Sequence, residues 1–222
     1  MPTYAVREPL VRWLAAEARS AHAELGPYRL LDVGCGEKPY RELFAAYVSE
    51  HVGVDPVANP VAELQGPIEA LPVEDASFDV ALCAQVLEHV DDPARAASEL
   101  SRVVRPGGRL LLSTHGVYVF HPNPTDHWRW THTGLEKLLR ENGDWASVRV
   151  TPGAGTAASL TMLNAIYIEH VLRRTPLRFL RGAVVGAMNR VGRALDRRVT
   201  LLAEPRPGTL AANYHVVAER SR

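Results

Sequence analysis

Imidazole and indole side chains are concentrated in one segment of this sequence. Residues 115–132 contain four of the nine histidines and two of the four tryptophans. Histidine titrates near neutral pH and can take a proton from a hydroxyl group, and tryptophan offers a flat apolar face to a sugar or an aromatic ring. The segment therefore predicts a pocket for a hydroxyl-bearing small molecule. We predict that His115 or His121 is the general base and that Asp126 orients it.

Two other interpretations of this histidine-rich segment stay open. The histidines at positions 115, 121, 127 and 132 do not have the spacing of a compact metal site, and only Asp126 adds a carboxylate nearby, so the pattern predicts no bound metal. A structural role is as well supported as a catalytic one. Asp126 and Arg129 can pair and brace the loop, while the histidines cap turns.

A second chemical pattern lies nearer the start of the chain. A short apolar run from Leu30 leads into Gly34 and Gly36, and Asp55 follows Gly36 by 19 residues. Glycines let a ligand approach the backbone, and a carboxylate can accept hydrogen bonds from both hydroxyls of a ribose. The pattern alone fits either a dinucleotide or S-adenosylmethionine. Pro39 stands where the dinucleotide pattern has its third glycine, and because proline has no N–H to offer a pyrophosphate, NAD is disfavoured.

Both patterns must be positioned by the elements between them. Short apolar strands alternate with helices, which predicts a mostly parallel, doubly wound α/β sheet with helices on both faces. In such sheets, ligands bind beyond the carboxyl ends of the strands. The predicted strands are 29–33, 51–54, 61–64, 78–83, 109–114, 145–151 and 213–219, and the predicted helices are 8–25, 39–47, 93–104, 133–141, 156–174 and 177–198.

Four blocks of the sequence carry a family resemblance. They are LLDVGCG, HVGVDP, ALPVEDASFDVALCAQVLEHVDDP and ELSRVVRPGGRLLLST, in this order within residues 28–115. Together they resemble the class I S-adenosylmethionine-dependent methyltransferases, with a type 11-like domain. The resemblance implies a Rossmann-like sheet of seven strands with a reversed last hairpin, and S-adenosylmethionine as the cofactor.

The same resemblance assigns roles to residues of the cofactor site. Relatives often have Gly-Asp-Ala where this chain has Gly66-Pro67-Ile68. Pro67 has no side-chain acceptor for the adenine amino group, so adenine recognition is predicted to use the backbone of Ile68 or Glu69, or a water. The implied cofactor residues are Asp32, Gly34, Cys35 and Gly36 on the methionine side, Asp55 and Pro56 at the ribose, Ile68 and Glu69 at the adenine, and Gln85 at the start of the acceptor pocket.

A narrower resemblance covers the histidine-rich segment. The run HPNPTDHWRWT is similar to a loop in a subgroup of these methyltransferases that is associated with envelope polysaccharides and other glycosylated products, with His127 where a tyrosine is common. It implies methyl transfer to a small or glycosylated acceptor, at oxygen in the first instance. Two alternatives stay open: transfer to nitrogen of an amino sugar or other amine, and an inactive cofactor-binding subunit that acts through a helical insert near the end of the chain. The matching residues are His121, Pro124, Asp126, Trp128, Arg129 and Thr131.

The chain is predicted to form a single methyltransferase domain over residues 1–222. The sequence has only two cysteines, which argues against a disulfide framework. It shows no uninterrupted apolar stretch, so neither a signal peptide nor a membrane span is predicted, and a cytoplasmic location is expected. The predicted segments are an N-terminal helix at 1–27, a cofactor-binding half at 28–115, an acceptor loop and strand at 116–155, a helical insert at 156–203 and the last strand at 204–222.

The helical insert differs from the rest of the chain in charge. Residues 171–200 carry eight arginines against Asp196, although the whole chain has no net charge. The insert is predicted to be a helical lid or a homodimer surface, or a basic surface that lies at the membrane periphery and meets anionic lipid or a lipid-linked glycan. Nucleic acid is disfavoured as a partner because the remaining chain is acidic.

Apolar patterning in the two insert helices adds an expectation about burial. The segment over residues 160–172 is apolar nearly all round and is expected to be buried in the core, in a dimer or against a partner. The second helix has a narrow apolar stripe with arginines beside it. The stripe consists of Leu177, Leu180, Val184, Met188, Val191 and Leu195.

Overall fold

Seven strands form the sheet that positions both predicted sites. They are β1 (Tyr28–Val33), β2 (Val48–Asp55), β3 (Leu64–Gln65), β4 (Phe78–Ala84), β5 (Val104–His115), β6 (Trp145–Pro152) and β7 (Asn213–Arg220) in the computed structural model, which describes residues 2–199 and 205–222. The strand order is β3-β2-β1-β4-β5-β7-β6, and β7 is antiparallel to both of its neighbours while the other pairs are parallel. The predicted doubly wound, Rossmann-like sheet with a reversed last hairpin is confirmed.

Helices connect these strands close to the predicted positions. One prediction, the helix over residues 39–47, is wrong in extent, because the helix covers only Arg41–Phe44 and a turn precedes β2. The strand predicted at 61–64 likewise begins only at Leu64. Residues 200–204, which include the predicted end of the helical insert, lie outside the described residues. The helices are α1 (Tyr4–Leu25), α2 (Arg41–Phe44), α3 (Pro93–Val103), α4 (His132–Asn142), α5 (Thr156–Leu172) and α6 (Arg181–Arg198), with 3-10 turns at Ile68–Ala70 and Pro176–Leu180.

Apolar side chains cover both faces of the sheet. On one face, Leu10 and Leu14 of α1 are buried and pack with Leu30, Leu82 and Leu111 of the central strands. On the other face, Leu100 of α3 and Leu135 of α4 belong to the larger core cluster. The buried central strands hold the carboxyl-end loops, and therefore both predicted sites, in fixed positions.

The two insert helices pack against each other through a different face from the apolar stripe. Val185, Asn189 and Gly192 are the buried residues of α6. A Cβ added at Gly192 would lie 2.6 Å from the hydroxyl oxygen of Thr161, so glycine permits this close approach. The predicted stripe instead points outward: Leu177, Leu180, Val191 and Leu195 are exposed.

Within the single chain, the segment over residues 160–172 is only partly buried, so burial of the whole segment in the core is not found and burial in a dimer or against a partner stays a prediction. Met162 and Ala165 of α5 are fully buried, but Leu160, Tyr167 and Val171 are exposed. Met162 belongs to a core cluster with Ala5 and Val6 of α1, which is the side of α5 that meets the domain. No helix among the described residues is long and apolar enough to span a membrane.

Two side chains of α3, Glu99 and Arg102, form a hydrogen-bonded bracket that holds the segment after the first 3-10 turn. Glu99 accepts a hydrogen bond from the backbone N–H of Leu71 at 2.8 Å. Arg102 donates to the carbonyls of Leu71 and Val73 at 3.0 and 2.8 Å. Two further contacts of 2.7 and 2.8 Å join Arg102 to Glu99, and the guanidinium lowers the pKa of the Glu99 carboxyl. The bracket therefore fixes the chain that follows Ile68–Ala70, which lies at the predicted adenine end.

Replacing Glu99 by glutamine should destabilise the protein at neutral pH and not in acid. The pKa of Glu99 is lower in the folded protein than in the unfolded chain. Its ion pair with Arg102 therefore stabilises the folded protein fully at pH values above the unfolded pKa, and this contribution is lost as the pH falls through the folded-state pKa. Because Glu99 is partly exposed, we expect a loss of about 1 kcal/mol at pH 7. Urea unfolding at about pH 7 and pH 3 measures it. Glu136→Gln, which removes the exposed pair with Arg140 on α4, is the control, and equal losses for Glu99→Gln at both pH values would contradict the bracket.

Candidate active site

A cavity of about 560 Å³ lies at the carboxyl ends of β1, β2 and β4. It is formed by the glycine turn after β1, the end of β2, the first 3-10 turn and the segment after β4. This volume is in the range of small-molecule and cofactor sites. The predicted residues that line it are Gly34, Gly36, Asp55, Pro56, Ile68, Glu69 and Gln85.

The glycine turn and Asp55 form one hydrogen-bonded unit at the cavity wall. Gly34 has a φ of +65°, and a Cβ there would lie 2.5 Å from a methyl carbon of Val86. The backbone N–H groups of Gly36 and Val57 donate to the two carboxylate oxygens of Asp55 at 2.9 and 3.0 Å. Each oxygen keeps a further acceptor site, so the fixed carboxylate can take hydrogen bonds from two adjacent hydroxyls.

Asp32 and Cys35 are not brought to this cavity. Asp32 is 4% exposed, and its carboxylate lies 3.1 Å from Nε2 of His51 on the neighbouring strand. Burial raises the pKa of Asp32. Cys35 is buried, with its sulfur packed against Gly53. Both side chains therefore organise β1 and β2 behind the glycine turn.

The opposite end of the cavity is walled by Pro67, Ile68 and Glu69. The carbonyl of Glu69 already accepts a hydrogen bond from Arg95 at 2.7 Å, and its carboxylate accepts one from the backbone of Asp91 at 3.0 Å. Of the backbone groups predicted for adenine recognition, the Glu69 carbonyl is therefore engaged elsewhere. Asp91 also lines the cavity and was missed in the sequence, where it follows the fourth strand without any pattern of its own.

A second cavity of about 290 Å³ adjoins the first, because Gln85 and His89 line both. His115 and His121 line it as the sequence predicted. Part of its wall comes from α1 and from Tyr40, which nothing in the sequence pattern connects with this site. The lining residues are Thr3, Val6, Arg7, Leu10, Tyr40, Gln85, Glu88, His89, His115, Tyr118, His121 and Asn213.

Gln85 is held in a strained backbone conformation where the two cavities meet. Its φ is +60°, in the left-handed region that non-glycine residues seldom adopt. Its backbone N–H donates to the carbonyl of Ser113 at 2.8 Å, and its side-chain amide donates to the Ser113 hydroxyl at 3.0 Å. Strain of this kind persists only where the surroundings impose it, and it is common at ligand sites.

Asp126 connects His121 with Arg129 in the histidine-rich loop. Its Oδ2 lies 3.1 Å from Nδ1 of His121. Two nitrogens of the Arg129 guanidinium contact the two carboxylate oxygens, each at 2.5 Å, and they hold the pKa of Asp126 well below its usual range. The predicted brace between Asp126 and Arg129 is confirmed, and the same carboxylate is placed to orient the His121 ring.

His115 and Glu88 form the buried inner end of the second cavity. Nδ1 of His115 lies 3.2 Å from Oε1 of Glu88, and the imidazole stacks on Tyr118 with ring centroids 4.0 Å apart. Burial lowers the pKa of His115 to about 3 and raises the pKa of Glu88 to about 7. A neutral imidazole with so low a pKa is a weak base, which leaves His121 as the better supported of the two predicted bases.

The remaining rings of the loop serve its structure. Trp128 donates a hydrogen bond to the carbonyl of Val90 at 2.8 Å and stacks on Trp130. Neither tryptophan lines either cavity, so the predicted indole face for a sugar ring is not found there. Tyr40 and Tyr118 supply the aromatic wall instead.

Two sets of side chains among the described residues have the composition of a metal site. One is Glu88, His115 and His121, and the other is His89, His121 and Asp126. Within each set, the candidate ligand atoms lie within 4.8 Å of one another. The loop spacing did not reveal either set, because Glu88 and His89 come from a different part of the chain.

Residues 31–112 match the family model described as a methyltransferase domain. The chain carries a class I S-adenosylmethionine-dependent methyltransferase domain. A probable S-adenosylmethionine-dependent methyltransferase of Mycolicibacterium smegmatis is 34% identical over 61% of this chain and 58% of its own length. A ubiquinone biosynthesis O-methyltransferase of Paraburkholderia phymatum is 31% identical over 51% of this chain and 53% of its own length. The chain thus spans about half the length of the curated relatives it matches.

Solved structures of methyltransferases share the fold. An S-adenosylmethionine-dependent methyltransferase of Archaeoglobus fulgidus superposes with a TM-score of 0.57 at 16% identity, covering 95% of this chain and 94% of its own. The 1,6-didemethyltoxoflavin N1-methyltransferase of Burkholderia thailandensis, with bound S-adenosylhomocysteine, gives 0.54 at 17% identity, covering 98% of this chain and 79% of its own.

S-adenosylmethionine is the cofactor of this methyltransferase domain, and the larger cavity fits it. The space beside Gly34 exists only because that residue has no Cβ. The Asp55 carboxylate is fixed at the wall with acceptor sites left for ribose hydroxyls. Ile68 and Pro67 give the far end an apolar surface for a base. The predicted cofactor is therefore confirmed, with Asp32 and Cys35 behind the site rather than in it.

Proposed function

We propose that this protein transfers a methyl group from S-adenosylmethionine to a hydroxyl oxygen of a small or glycosylated acceptor. The observation that carries the proposal is the adjacency of the two cavities, which share Gln85 and His89. Methyl transfer requires the acceptor atom to lie in line with the sulfur–carbon bond. Holding two substrates side by side in this way can lower the barrier by about 7 to 11 kcal/mol.

In this proposal the larger cavity binds and orients the cofactor. When bound, S-adenosylmethionine supplies a methyl group on a positively charged sulfur. Gly34 and Gly36 leave room along the backbone, and Asp55 accepts the ribose hydroxyls. Ile68 packs against the adenine. Gln85, whose amide is fixed by hydrogen bonds to the strand beside it, separates the two cavities and sets the direction from which the acceptor approaches.

The smaller cavity holds the acceptor's hydroxyl group. We assign His121 to the contact with that hydroxyl and Asp126 to the orientation of the imidazole, because the carboxylate lies 3.1 Å from Nδ1. His115 stays neutral through burial and adds a polar contact at the inner end. An imidazole cluster supports oxygen as the target, because a hydroxyl has to lose its proton while a neutral amine can attack without prior deprotonation.

A release assay for S-adenosylhomocysteine tests the proposed function. The chain is incubated with S-adenosylmethionine and with paired acceptors, each pair being a glycoside or phenol and its amino counterpart. We expect turnover with the hydroxyl-bearing acceptor of each pair and none with its amino counterpart. Turnover confined to amines would overturn the choice of oxygen, and cofactor binding without turnover on any pair would favour an inactive subunit.

We also assign the outer face of the insert to an anionic membrane surface, with the protein in the cytoplasm. Nine large apolar side chains between Leu160 and Val199 are exposed. Among the described residues, no acidic side chain pairs with Arg174, Arg178 or three further arginines of this face. Exposed apolar groups beside unpaired arginines favour binding to anionic lipid. A homodimer through this face is less favourable, because it would bring the positive charges of two copies together. The three further arginines are Arg190, Arg197 and Arg198.

The insert also contacts the helix that lines the acceptor cavity. Arg193 of α6 contacts the carboxylate of Glu8 at 3.0 Å and lies over the ring of Tyr4. Thr3 and Arg7, on the same turns of α1, line the acceptor cavity. The insert therefore contacts the part of α1 that lines this cavity, through a residue outside the exposed stripe.

Vesicle sedimentation tests the membrane assignment. The chain should bind vesicles that contain phosphatidylglycerol, bind those of pure phosphatidylcholine poorly, and be released by salt. The double variant Arg174→Gln, Arg178→Gln should weaken binding about tenfold or more. Arg19→Gln with Arg41→Gln removes two exposed arginines outside the insert and should change little. Binding to neither vesicle at low salt, or a stable dimer that buries Phe179, would contradict the assignment.

A further inference from the structure

Buried polar atoms without hydrogen-bond partners converge at the inner end of the acceptor cavity. They are Oε1 of Glu88 and Nδ1 of His115, which lie 3.2 Å apart. Glu88 is 0% exposed and His115 is 6% exposed. Leaving such atoms unpaired costs free energy, so their convergence calls for a partner that both of them can share.

The three side chains match the ligand set of a transition metal. A candidate ligand atom of each lies within 4.8 Å of the other two, and the closest pair, Glu88 Oε1 and His115 Nδ1, is 3.2 Å apart. Ligand atoms about 2.0 to 2.2 Å from one ion lie roughly 3 Å from each other. Two imidazoles and one carboxylate suit Zn²⁺, Co²⁺, Fe²⁺ or Mn²⁺, whereas Mg²⁺ prefers oxygen ligands. We infer that Glu88, His115 and His121 bind one divalent transition-metal ion.

Further contacts hold these ligands in place. The second carboxylate oxygen of Glu88 accepts a hydrogen bond from the Thr114 hydroxyl at 2.9 Å, which leaves Oε1 for the ion. Asp126 lies 3.1 Å from Nδ1 of His121, which leaves Nε2 of that ring for the ion. A carboxylate behind a ligating histidine is the usual support of such a site.

The charges around the cluster permit a cation. Two arginines lie near the cluster: Arg129, which Asp126 neutralises through both carboxylate oxygens, and Arg7, which lines the same cavity. Glu88 supplies the one negative charge inside the set, and Asp126 supplies another next to it.

The metal would polarise the acceptor, and this consequence rests on the proposed function; the ion held by His121 would then contact the acceptor oxygen in place of the imidazole itself. An acceptor oxygen held against the ion has a lower pKa and releases its proton to solvent at the cavity mouth. Its lone pair then forms the bond to the methyl carbon as the carbon–sulfur bond breaks, and the electron pair of that bond stays on sulfur. No oxidant or reductant is needed. The open positions of a three-ligand site are where the oxygen would bind.

Metal binding is tested on the full chain without any acceptor. The protein is stripped with EDTA, dialysed and titrated with Co²⁺, with visible absorption and calorimetry as readouts. We expect one Co²⁺ per chain, displaced by Zn²⁺ and not by Mg²⁺. His121→Ala and Glu88→Gln should each weaken Co²⁺ binding at least about 100-fold. His127→Ala, which removes a histidine of the same loop outside the cluster, should leave it unchanged.

Titration of the same samples with S-adenosylhomocysteine separates this inference from the proposed function. Protein that binds S-adenosylhomocysteine but no Co²⁺ overturns the metal site and leaves the proposed function standing. Protein that binds Co²⁺ but no S-adenosylhomocysteine overturns the proposed function alone. If Glu88→Gln does not fold, His121→Ala decides, because its side chain is partly exposed and its loss creates no buried cavity. Unchanged Co²⁺ affinity in folded His121→Ala overturns the site.

Discussion

Asp55→Ala should weaken the binding of S-adenosylhomocysteine at least about 100-fold. The carboxylate accepts the backbone N–H groups of Gly36 and Val57, so it both shapes the glycine turn and presents its remaining acceptor sites to the ribose. Two hydrogen bonds to a charged group contribute about 1.5 to 3 kcal/mol each, which corresponds to a factor of 100 or more. Isothermal titration calorimetry measures the change.

Asp55→Asn is the matched variant for this experiment. Its side-chain oxygen can still accept one hydrogen bond, but the charge and the second acceptor are lost, so we expect about a tenfold loss of affinity. Thermal unfolding without ligand shows that both variants are folded. Affinities within threefold of the wild type for Asp55→Ala would mean that the ribose does not lie at this residue.

His121→Ala should lower kcat by about 10² or more with the acceptor identified in the release assay. The imidazole faces the acceptor cavity and is held next to Asp126, so its loss removes the group that helps the hydroxyl give up its proton. Cofactor affinity should not change, because His121 does not line the larger cavity. The measurement is kcat at saturating S-adenosylmethionine, with S-adenosylhomocysteine affinity determined on the same sample.

His127→Ala is the control for the effect of His121. His127 is in the same loop and only partly buried, but its ring points toward Asp91, 3.6 Å away, and lies outside the acceptor cavity. We expect its kcat to stay within twofold of the wild type. Equal losses of kcat in the two variants would indicate a role of the loop as a whole rather than of one imidazole.

The sequence predicts the sheet and the cofactor end well because their signals are local. Gly34, Gly36 and Asp55 are fixed by the strands in front of them, and the apolar strand pattern is enough to place those strands side by side. The four blocks that resemble the family cover the same elements. The departure at Pro67 is also local, and the structure places it as an apolar wall.

Contacts between distant segments explain what the sequence does not predict. Asp32 stands beside the glycine turn in the sequence, but His51 on the adjacent strand holds it in the interior. Glu88 belongs to the block after β4, and only the fold brings it against His115. The α1 residues that line the acceptor cavity have no pattern that connects them with it.

The outward stripe of α6 has a similar explanation. Its spacing predicts an amphipathic helix, but the spacing does not state which face meets the protein. Packing against α5 is decided by Gly192, whose missing side chain lets the helices approach closely at Thr161. The apolar stripe is therefore left on the outer side, where Val191 and Leu195 are exposed.

Calorimetric titration of the purified chain with S-adenosylhomocysteine and, separately, with NAD⁺ tests the central claim most directly. We expect one molecule of S-adenosylhomocysteine to bind per chain and no heat from NAD⁺, because the turn after Gly34 has Pro39 where a pyrophosphate would need a glycine. Folded protein that binds NAD⁺ and gives no heat with S-adenosylhomocysteine would contradict the assignment of the larger cavity.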